Sequence, residues 1–208
     1  MSATPMLSSL FFDIGNVLVT FDFTRAMKKL AENSPLGPEA LETTLRPLII
    51  QMEDGRLSSE EFVAQGRAHT SFRGSDEAFV AAYCDIFEEN SPMVQVVEHL
   101  AERLPLYLLS NTSGLHLDYL RAAYPVFGHF RGGIYSHEAG SAKPEAKIYQ
   151  DLIALAGVDP TATLYLDDAP ANTEAGAAHG LQVFTYDWKD HAALESKLAA
   201  LGVWPRSA

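Results

Sequence analysis

The chain has 208 residues and a formal net charge of −12, and hydrophobic residues make up 47% of it. These values are typical of one globular domain, or of a core domain with a small insertion. The negative charge argues against nucleic acid as a partner, because nucleic acids are bound by cationic surfaces. An anionic ligand would instead need a local source of positive charge, such as a metal ion, a lysine or a helix N-terminus.

The sequence also lacks the patterns of membrane proteins and secreted disulfide-rich proteins. No apolar run approaches the roughly 18 residues that a membrane span needs. Residues 1–9 carry neither a basic residue nor a long apolar stretch, and Cys84 is the single cysteine, which excludes an internal disulfide. We therefore expect a cytoplasmic protein without a membrane partner, either a monomer or a homodimer.

The first predicted strand runs through Leu10, Phe11 and Phe12 and ends at Asp13. A short apolar run that is bounded by a turn signal is typical of a buried strand. Open α/β sheets bind their ligands beyond the carboxyl ends of the strands, so Asp13 is a candidate functional residue. Gly15 lets the backbone pass close to whatever this carboxylate contacts.

Residues 23–90 form a block whose pattern indicates helices only. A proline at position 38, a capping box from Ser58 to Glu61 and an N-cap at Ser75 mark three of the helix starts. The predicted helices cover residues 23–32, 38–52, 62–69 and 75–88.

From residue 91 onward, predicted strands alternate with predicted helices, which indicates a parallel sheet with helices on both faces. Because the helical block separates the first strand from the others, we interpret it as an insertion. The predicted domains are a discontinuous core (residues 1–20 and 91–208) and a helical cap (residues 21–90). The predicted strands of this second part cover 106–109, 133–136, 164–166 and 183–186, and the helices 91–103, 115–123, 145–156, 171–179 and 191–201.

Polar side chains follow several of these strands, and in a parallel sheet such strand ends meet at one edge. Crowded carboxylates need a compensating cation, and a set of oxygen ligands suits Mg²⁺. The combination resembles a phosphoryl-transfer site in which an aspartate attacks phosphorus in line. The side chains concerned are Asp13, Ser110, Asn111, Lys143, Asp167 and Asp168.

Four segments resemble the ordered motifs of the haloacid dehalogenase (HAD) superfamily. The resemblance implies a Rossmann-like parallel sheet with an inserted helical cap of the C1 type. Within the superfamily, the segments resemble in particular those of the bacterial α-glucose-1-phosphate phosphatases. The resemblance further implies a Mg²⁺-dependent phosphoric monoester hydrolase that acts on a small phosphorylated metabolite, a sugar phosphate, through an aspartyl-phosphate. The segments are Phe12-Asp13-Ile14-Gly15-Asn16-Val17-Leu18, Leu109-Ser110-Asn111-Thr112, Lys143-Pro144-Glu145 and Leu166-Asp167-Asp168.

The resemblance assigns roles to the matching residues. Asp13 is expected to be the nucleophile, and Ser110 and the backbone of Asn111 are expected to hold the phosphoryl oxygens. Lys143 is expected to neutralise charge on the nucleophile and on the phosphoryl group.

The expected Mg²⁺ ligands are Asp13, the Gly15 carbonyl and Asp168, with assistance from Asp167. A metal ion and a lysine would together meet the charge of the transition state.

Gly15 departs from the pattern, because most phosphatases of this superfamily carry there a second Asp that serves as general acid and base. Such catalysis is typically worth ~10²–10⁴-fold. Asp22, His116 or His137 could replace it. Alternatively, a good leaving group such as the anomeric oxygen of a sugar 1-phosphate reduces the need for an acid, or the protein only binds phosphometabolites. A metal-independent 2-haloacid dehalogenase, in which Asp attacks carbon, also lacks the second Asp and is a further alternative.

The cap is expected to select the substrate. In C1 caps, the turn that corresponds to residues 53–58 reaches into the active site. Asp54 and Arg56 are therefore candidates for sugar or phosphate contacts.

Overall fold

The computed structural model describes residues 6–205, which form seven strands, ten α-helices and two short 3-10 helices. The strands are β1 (Ser9–Phe12), β2 (Val19–Phe21), β3 (Phe87–Glu89), β4 (Leu106–Ser110), β5 (Gly133–Tyr135), β6 (Thr163–Asp167) and β7 (Gln182–Thr185). The helices are α1 (Phe23–Ala31), α2 (Pro38–Glu53), α3 (Ser59–Thr70), α4 (Asp76–Cys84), α5 (Ser91–Ala101), α6 (Gly114–Ala123), α7 (Ser136–Ala139), α8 (Ala146–Ala156), α9 (Pro170–Ala178) and α10 (His191–Ala200).

Five strands form a parallel sheet in the order β5-β4-β1-β6-β7, with β1 at the centre. Phe12 at the end of β1 lies opposite Leu108 of β4 and Leu166 of β6. This register brings the carboxyl ends of the three central strands to one edge of the sheet, where the loops that follow them meet.

Helices cover both faces of this sheet, as the alternation of side chains along β1 shows. Leu10 and Phe12 pack into a large hydrophobic cluster on one face, whereas Phe11 packs with Leu109 and Tyr165 into a second cluster on the other. Successive strand residues point to opposite faces, so a strand buried on both sides is apolar throughout. The predicted α/β fold class with a parallel sheet is confirmed.

The inserted helices α1–α4 lie between β2 and β3, which pair in an antiparallel ribbon. The prediction of helices only across residues 23–90 was wrong at its end. The helix predicted over 75–88 stops at Cys84, and Phe87–Glu89 pairs instead with Val19–Phe21. The capping box predicted from Ser58 to Glu61 is present at the start of α3.

The single cysteine and the lengths of the helices were also considered in the sequence. Cys84 is buried inside the molecule, and burial raises the pKa of its thiol to about 12. Within residues 6–205, no helix combines the length and the apolar character that crossing a membrane requires.

Candidate active site

Asp13 and Lys143 form a buried ion pair at the carboxyl edge of the sheet. The Nζ atom of Lys143 lies 2.7 Å from Oδ1 of Asp13 and 2.7 Å from Oδ2 of Asp167. All three residues are buried. Lys143 therefore bridges the carboxylates that follow β1 and end β6, and supplies the positive charge that this acidic chain needs locally.

The loop that carries Lys143 is fixed by Asn111, which follows β4. The side-chain amide of Asn111 donates to the carbonyl of Lys143 at 3.0 Å, and its Oδ1 accepts from the backbone N–H of Lys143 at 2.8 Å. Ser110, the last residue of β4, is buried beside it. The side chain of Asn111 thus holds the lysine segment in place.

Asp13 is buried, and its two carboxylate oxygens differ in their hydrogen bonds. Its Oδ1 accepts from Lys143 and, at 2.7 Å, from the backbone N–H of Ile14. Its Oδ2 accepts no hydrogen bond from the part of the chain that the structure describes. Burial raises the pKa of Asp13 to about 6 against the opposing effect of Lys143.

Asp167 has its hydrogen-bonding capacity filled by four donors. Its Oδ2 accepts from Lys143 and from the hydroxyl of Tyr165. Its Oδ1 accepts at 2.9 Å from the backbone N–H of Ala169 and from the side chain of Asn172. A carboxylate that is paired in this way orients Lys143.

Asp168 completes a cluster of carboxylates that fits a divalent cation. One oxygen from each of Asp13, Asp167 and Asp168 lies within 4.8 Å of the others. Asn16, in a left-handed conformation with φ of 53°, donates from Nδ2 to Oδ2 of Asp168 at 2.9 Å. Carboxylate oxygens at this separation are the donor set that Mg²⁺ prefers.

A cavity of about 90 Å³ opens next to these residues and reaches the inserted helices. Its wall includes Gly15, Ser110 and Asn111 at the strand ends, His116 of α6 and Glu53 of α2. Glu53, the last residue of α2, was missed as a candidate by the sequence reasoning. Burial, the largest cause, raises its pKa to about 7, and the neighbouring Asp54 adds to the effect.

His116 is a buried member of the cavity wall. Its ring stacks on Tyr83 with the ring centroids 4.8 Å apart, and burial lowers its pKa to about 4. Its Nε2 atom has no hydrogen-bond partner among residues 6–205. His116 is therefore neutral near pH 7 and presents an unsatisfied ring nitrogen.

The structure places Asp22, Arg56 and His137 outside the wall of this cavity. Asp22 caps α1 by accepting from the backbone N–H of Thr24, a hydrogen bond that lowers its pKa. A carboxylate used in this way is a poor proton donor at neutral pH, so the geometry does not favour Asp22 as the replacement acid.

His137 lies against the inserted helices through its backbone carbonyl, which is close to Gly55, and Arg56 lines a cavity with Ser136 and Ser141 of the core. Nδ1 of His137 is 2.8 Å from the carbonyl of Thr112. Arg56 is exposed, pairs with Asp54 at 2.6 Å and lines a separate cavity.

Gly15 is in tight contact with the β2 ribbon. A Cβ atom at this position would lie 2.9 Å from Cε1 of Phe21. The ring of Phe21 therefore occupies the space that any longer side chain at position 15 would enter first.

The fold and this site together define a hydrolase of a known class. Residues 8–180 match the haloacid dehalogenase-like hydrolase family, and the chain belongs to that family. The membership predicted from the four motifs is thereby confirmed.

Among characterised proteins, the chain is similar to D-ribitol-5-phosphate phosphatase of Bacteroides thetaiotaomicron. The two are 27% identical over 207 residues, which cover 88% of this chain and 96% of the relative.

Solved structures show the same likeness. A HAD family enzyme of Bacteroides thetaiotaomicron, solved in complex with magnesium and inorganic phosphate, superposes with a TM-score of 0.77 at 26% identity over 87% of this chain and 94% of its own. L-2-haloacid dehalogenase of Xanthobacter autotrophicus shares the fold, with a TM-score of 0.59 at 19% identity over 86% of this chain and 76% of its own.

Proposed function

We propose that this protein is a Mg²⁺-dependent phosphatase of small phosphorylated sugars or polyols. The observation that carries the proposal is the buried Asp13 carboxylate, held by Lys143 at 2.7 Å beside the carboxylate of Asp168. This arrangement provides a nucleophile, a fixed positive charge and a pair of metal-binding oxygens at one point. The relative named D-ribitol-5-phosphate phosphatase supports the substrate class.

In the proposed reaction, Oδ2 of Asp13 attacks phosphorus and the bond to the leaving alcohol breaks, which gives an aspartyl-phosphate. Ser110, the backbone of Asn111 and Lys143 stabilise the phosphoryl oxygens as charge develops on them. Water then attacks the phosphorus, phosphate leaves, and the Asp13 carboxylate is restored.

Asp13, Asp168 and the Gly15 carbonyl are the proposed ligands of Mg²⁺, which supplies charge neutralisation for the phosphoryl group when bound. Asp167 contributes to this site by orienting Lys143, since its two oxygens already accept four hydrogen bonds. Asp168 accepts one hydrogen bond from Asn16, which leaves lone pairs for a cation.

We assign substrate selection to residues 21–90, the proposed C1 cap. Its residues Phe21, Phe23 and Glu53 line the cavity above Gly15. The substrates we propose are a sugar 1-phosphate, whose anomeric oxygen leaves readily, or a terminal phosphate on a primary alcohol such as that of the ribitol phosphate named for the relative.

A metal-independent dehalogenase is the less favoured alternative. Attack of Asp13 on a carbon that carries a halogen requires no divalent cation. The carboxylate of Asp168 next to Asp13 would then only add repulsion.

The test is phosphate release from a panel that contains sugar 1-phosphates, sugar 6-phosphates and ribitol 5-phosphate, with Mg²⁺ or with EDTA. We expect release that needs Mg²⁺ and that Asp13→Asn abolishes. Asp151→Asn, which alters an exposed ion pair on α8, is the matched control and should keep full activity. Absence of release from every compound, or release that survives EDTA or Asp13→Asn, would overturn the proposal.

A further inference from the structure

Position 15 offers no acid to the leaving group of the proposed reaction. Position 15 is a glycine, and the ring of Phe21 stands 2.9 Å from where its Cβ would be. No carboxylate can reach the phosphoryl group from this position. An alcohol leaving group of high pKa nevertheless needs a proton, so another side chain must supply it.

Glu53 belongs to the wall of the same cavity and reaches it from the inserted helices. It lines the cavity together with Gly15, Ser110 and Asn111, although it belongs to α2 and lies far from them in sequence. In an in-line displacement, the attacking and leaving oxygens lie on opposite sides of phosphorus. A leaving oxygen opposite Asp13 therefore points away from the sheet and toward the inserted helices, where Glu53 lies.

The backbone of Glu53 is tied to the strand ends that form the phosphate side of the site. The hydroxyl of Ser136 donates to the carbonyl of Glu53 at 2.8 Å and accepts from the backbone N–H of Thr112 at 3.0 Å. One serine thus links the residue after Asn111 to the end of α2. This linkage holds Glu53 in a defined position relative to the phosphate-binding segment.

The surroundings of Glu53 keep it available as a proton carrier near neutral pH. Burial raises the pKa of its carboxyl to about 7, with a further contribution from Asp54. Burial lowers the pKa of His116 on the same cavity wall to about 4, so its ring is neutral near pH 7 and is not the acidic imidazolium form. Tyr83 on α4 is another ionisable group near Glu53, and Glu42 and Arg46 of α2 line a second cavity together with Glu53. The backbone carbonyl of His137 lies against Gly55, in the turn that follows Glu53.

We propose that Glu53 is the general acid and base of this site, in the role that an aspartate at position 15 would otherwise fill. The inference rests on the proposed phosphatase function. In the first step, the P–O bond to the leaving group breaks, and the leaving oxygen takes the proton of the Glu53 carboxylic acid. In the second step, the Glu53 carboxylate takes a proton from the water that attacks the aspartyl-phosphate, and the bond from phosphorus to Asp13 breaks.

The test compares Glu53→Gln with the wild type on two substrates that differ in the leaving group. With ribitol 5-phosphate, the variant should lose about 10²–10⁴-fold in kcat, because an alkoxide cannot leave without a proton. With p-nitrophenyl phosphate, the first turnover needs no acid, so the variant should release a burst of one equivalent of nitrophenolate at near the wild-type rate. Its steady-state rate should then fall, because water is no longer activated.

Glu39→Gln, at the exposed start of the same helix, is the matched control and should behave as the wild type on both substrates. Circular dichroism verifies that both variants are folded. A Glu53→Gln variant within threefold of the wild type on ribitol 5-phosphate would overturn the role of Glu53. Equal loss of burst and steady-state rates would also overturn it, since that result indicates a role in binding.

Failure of the inference is distinguishable from failure of the proposed function. An active wild type that is inactivated by Asp13→Asn but indifferent to Glu53→Gln removes only the role of Glu53. A wild type that releases no phosphate from p-nitrophenyl phosphate or from any sugar or polyol phosphate of the panel removes the phosphatase function and the role of Glu53 with it.

Discussion

At the scale of single residues, the two adjacent aspartates after β6 differ in their surroundings. Asp167 is buried and accepts four hydrogen bonds, one of them from Lys143, whereas Asp168 is partly exposed and accepts one from Asn16. The sequence indicates only a pair of carboxylates at a strand end. It cannot indicate which of them accepts from Lys143, because this donor comes from a separate loop.

This difference predicts separate effects of Asp167→Asn and Asp168→Asn. Asp168→Asn should raise the Mg²⁺ concentration for half-maximal activity at least tenfold, because it removes a proposed ligand charge. Asp167→Asn should lower kcat by about 10–100-fold, as loss of an orienting partner does, with little change in the Mg²⁺ requirement. Titration of phosphate release with Mg²⁺ measures both quantities.

Thermal melts serve as the control, because removing one partner of a buried ion pair destabilises a protein by about 3–5 kcal/mol. If Asp167→Asn shifts the Mg²⁺ requirement as much as Asp168→Asn does, Asp167 is a metal ligand and its assignment as an orienting residue is wrong.

Glu53 is a candidate residue that we did not predict from the sequence. It stands in the segment 53–58 that was expected to reach the active site, but Asp54 and Arg56 were selected instead. Both of these side chains are exposed and pair with each other. A usable signal existed, because Glu53 continues the face of α2 that carries Ile49 one turn earlier, and Ile49 packs against the core.

At the scale of elements, the capping box at α3 could be predicted because its two residues are close in sequence. Ser58 accepts from the backbone N–H of Glu61 at 3.2 Å, and the Glu61 side chain accepts from the backbone N–H of Ser58 at 2.9 Å. The motif needs only residues three apart, so the sequence suffices to find it.

Ser58→Ala should lower the free energy of unfolding by about 1 kcal/mol, because it leaves an N–H of the first turn without its acceptor. Urea denaturation measures the change. Thr43→Ala, which removes an exposed hydroxyl from the surface of α2, is the control and should stay within about 0.5 kcal/mol of the wild type. An equal effect of the two variants would show that the cap contributes nothing.

The ribbon of β2 and β3 could not be predicted from the sequence, because its two strands are far apart in the chain. Phe87, Glu88 and Glu89 follow a helix and continue its pattern, and they become a strand only because Val19–Phe21 pairs with them. By contrast, the central strands were found from their own residues, since a strand buried on both faces is apolar along its whole length. Boundaries set by local chemistry were thus predictable, and those set by distant pairing were not.

The contact between this ribbon and Gly15 predicts a coupled effect on stability. Gly15→Ala should destabilise the wild type by about 1 kcal/mol, because the added Cβ meets the ring of Phe21, which is 42% exposed and has to shift. In a Phe21→Ala background, the same change should cost much less. A double-mutant cycle by urea denaturation gives the coupling, and purely additive effects would contradict the contact.

At the scale of the whole molecule, two groups of the same cavity, the buried His116 and the partly buried Glu53, give opposite pH dependences of stability. The pKa of His116 falls on folding from 6.5 to about 4, so stability is gained as the pH rises through this interval. The pKa of Glu53 rises on folding from 4.5 to about 7, so stability is lost as the pH rises through that interval. Between pH 4.5 and 6.5 the two contributions largely cancel.

Glu53→Gln should remove only the second contribution. Since one pH unit corresponds to about 1.4 kcal/mol, keeping Glu53 charged in its buried place costs the folded protein about 3 kcal/mol above pH 7. The difference in free energy of unfolding between Glu53→Gln and the wild type should therefore change by about 3 kcal/mol in favour of the variant between pH 4.5 and pH 8. Urea denaturation at a series of pH values measures this change.

Glu39→Gln should show no such trend, because Glu39 is exposed. A pH-independent difference for Glu53→Gln would mean that the Glu53 carboxylate is as well solvated in the folded protein as in the unfolded chain, and it would weaken its assignment as a proton carrier. A variant that gains stability at pH 8 while it loses turnover would instead show that the protein keeps a destabilising charge in its cavity because the reaction uses it.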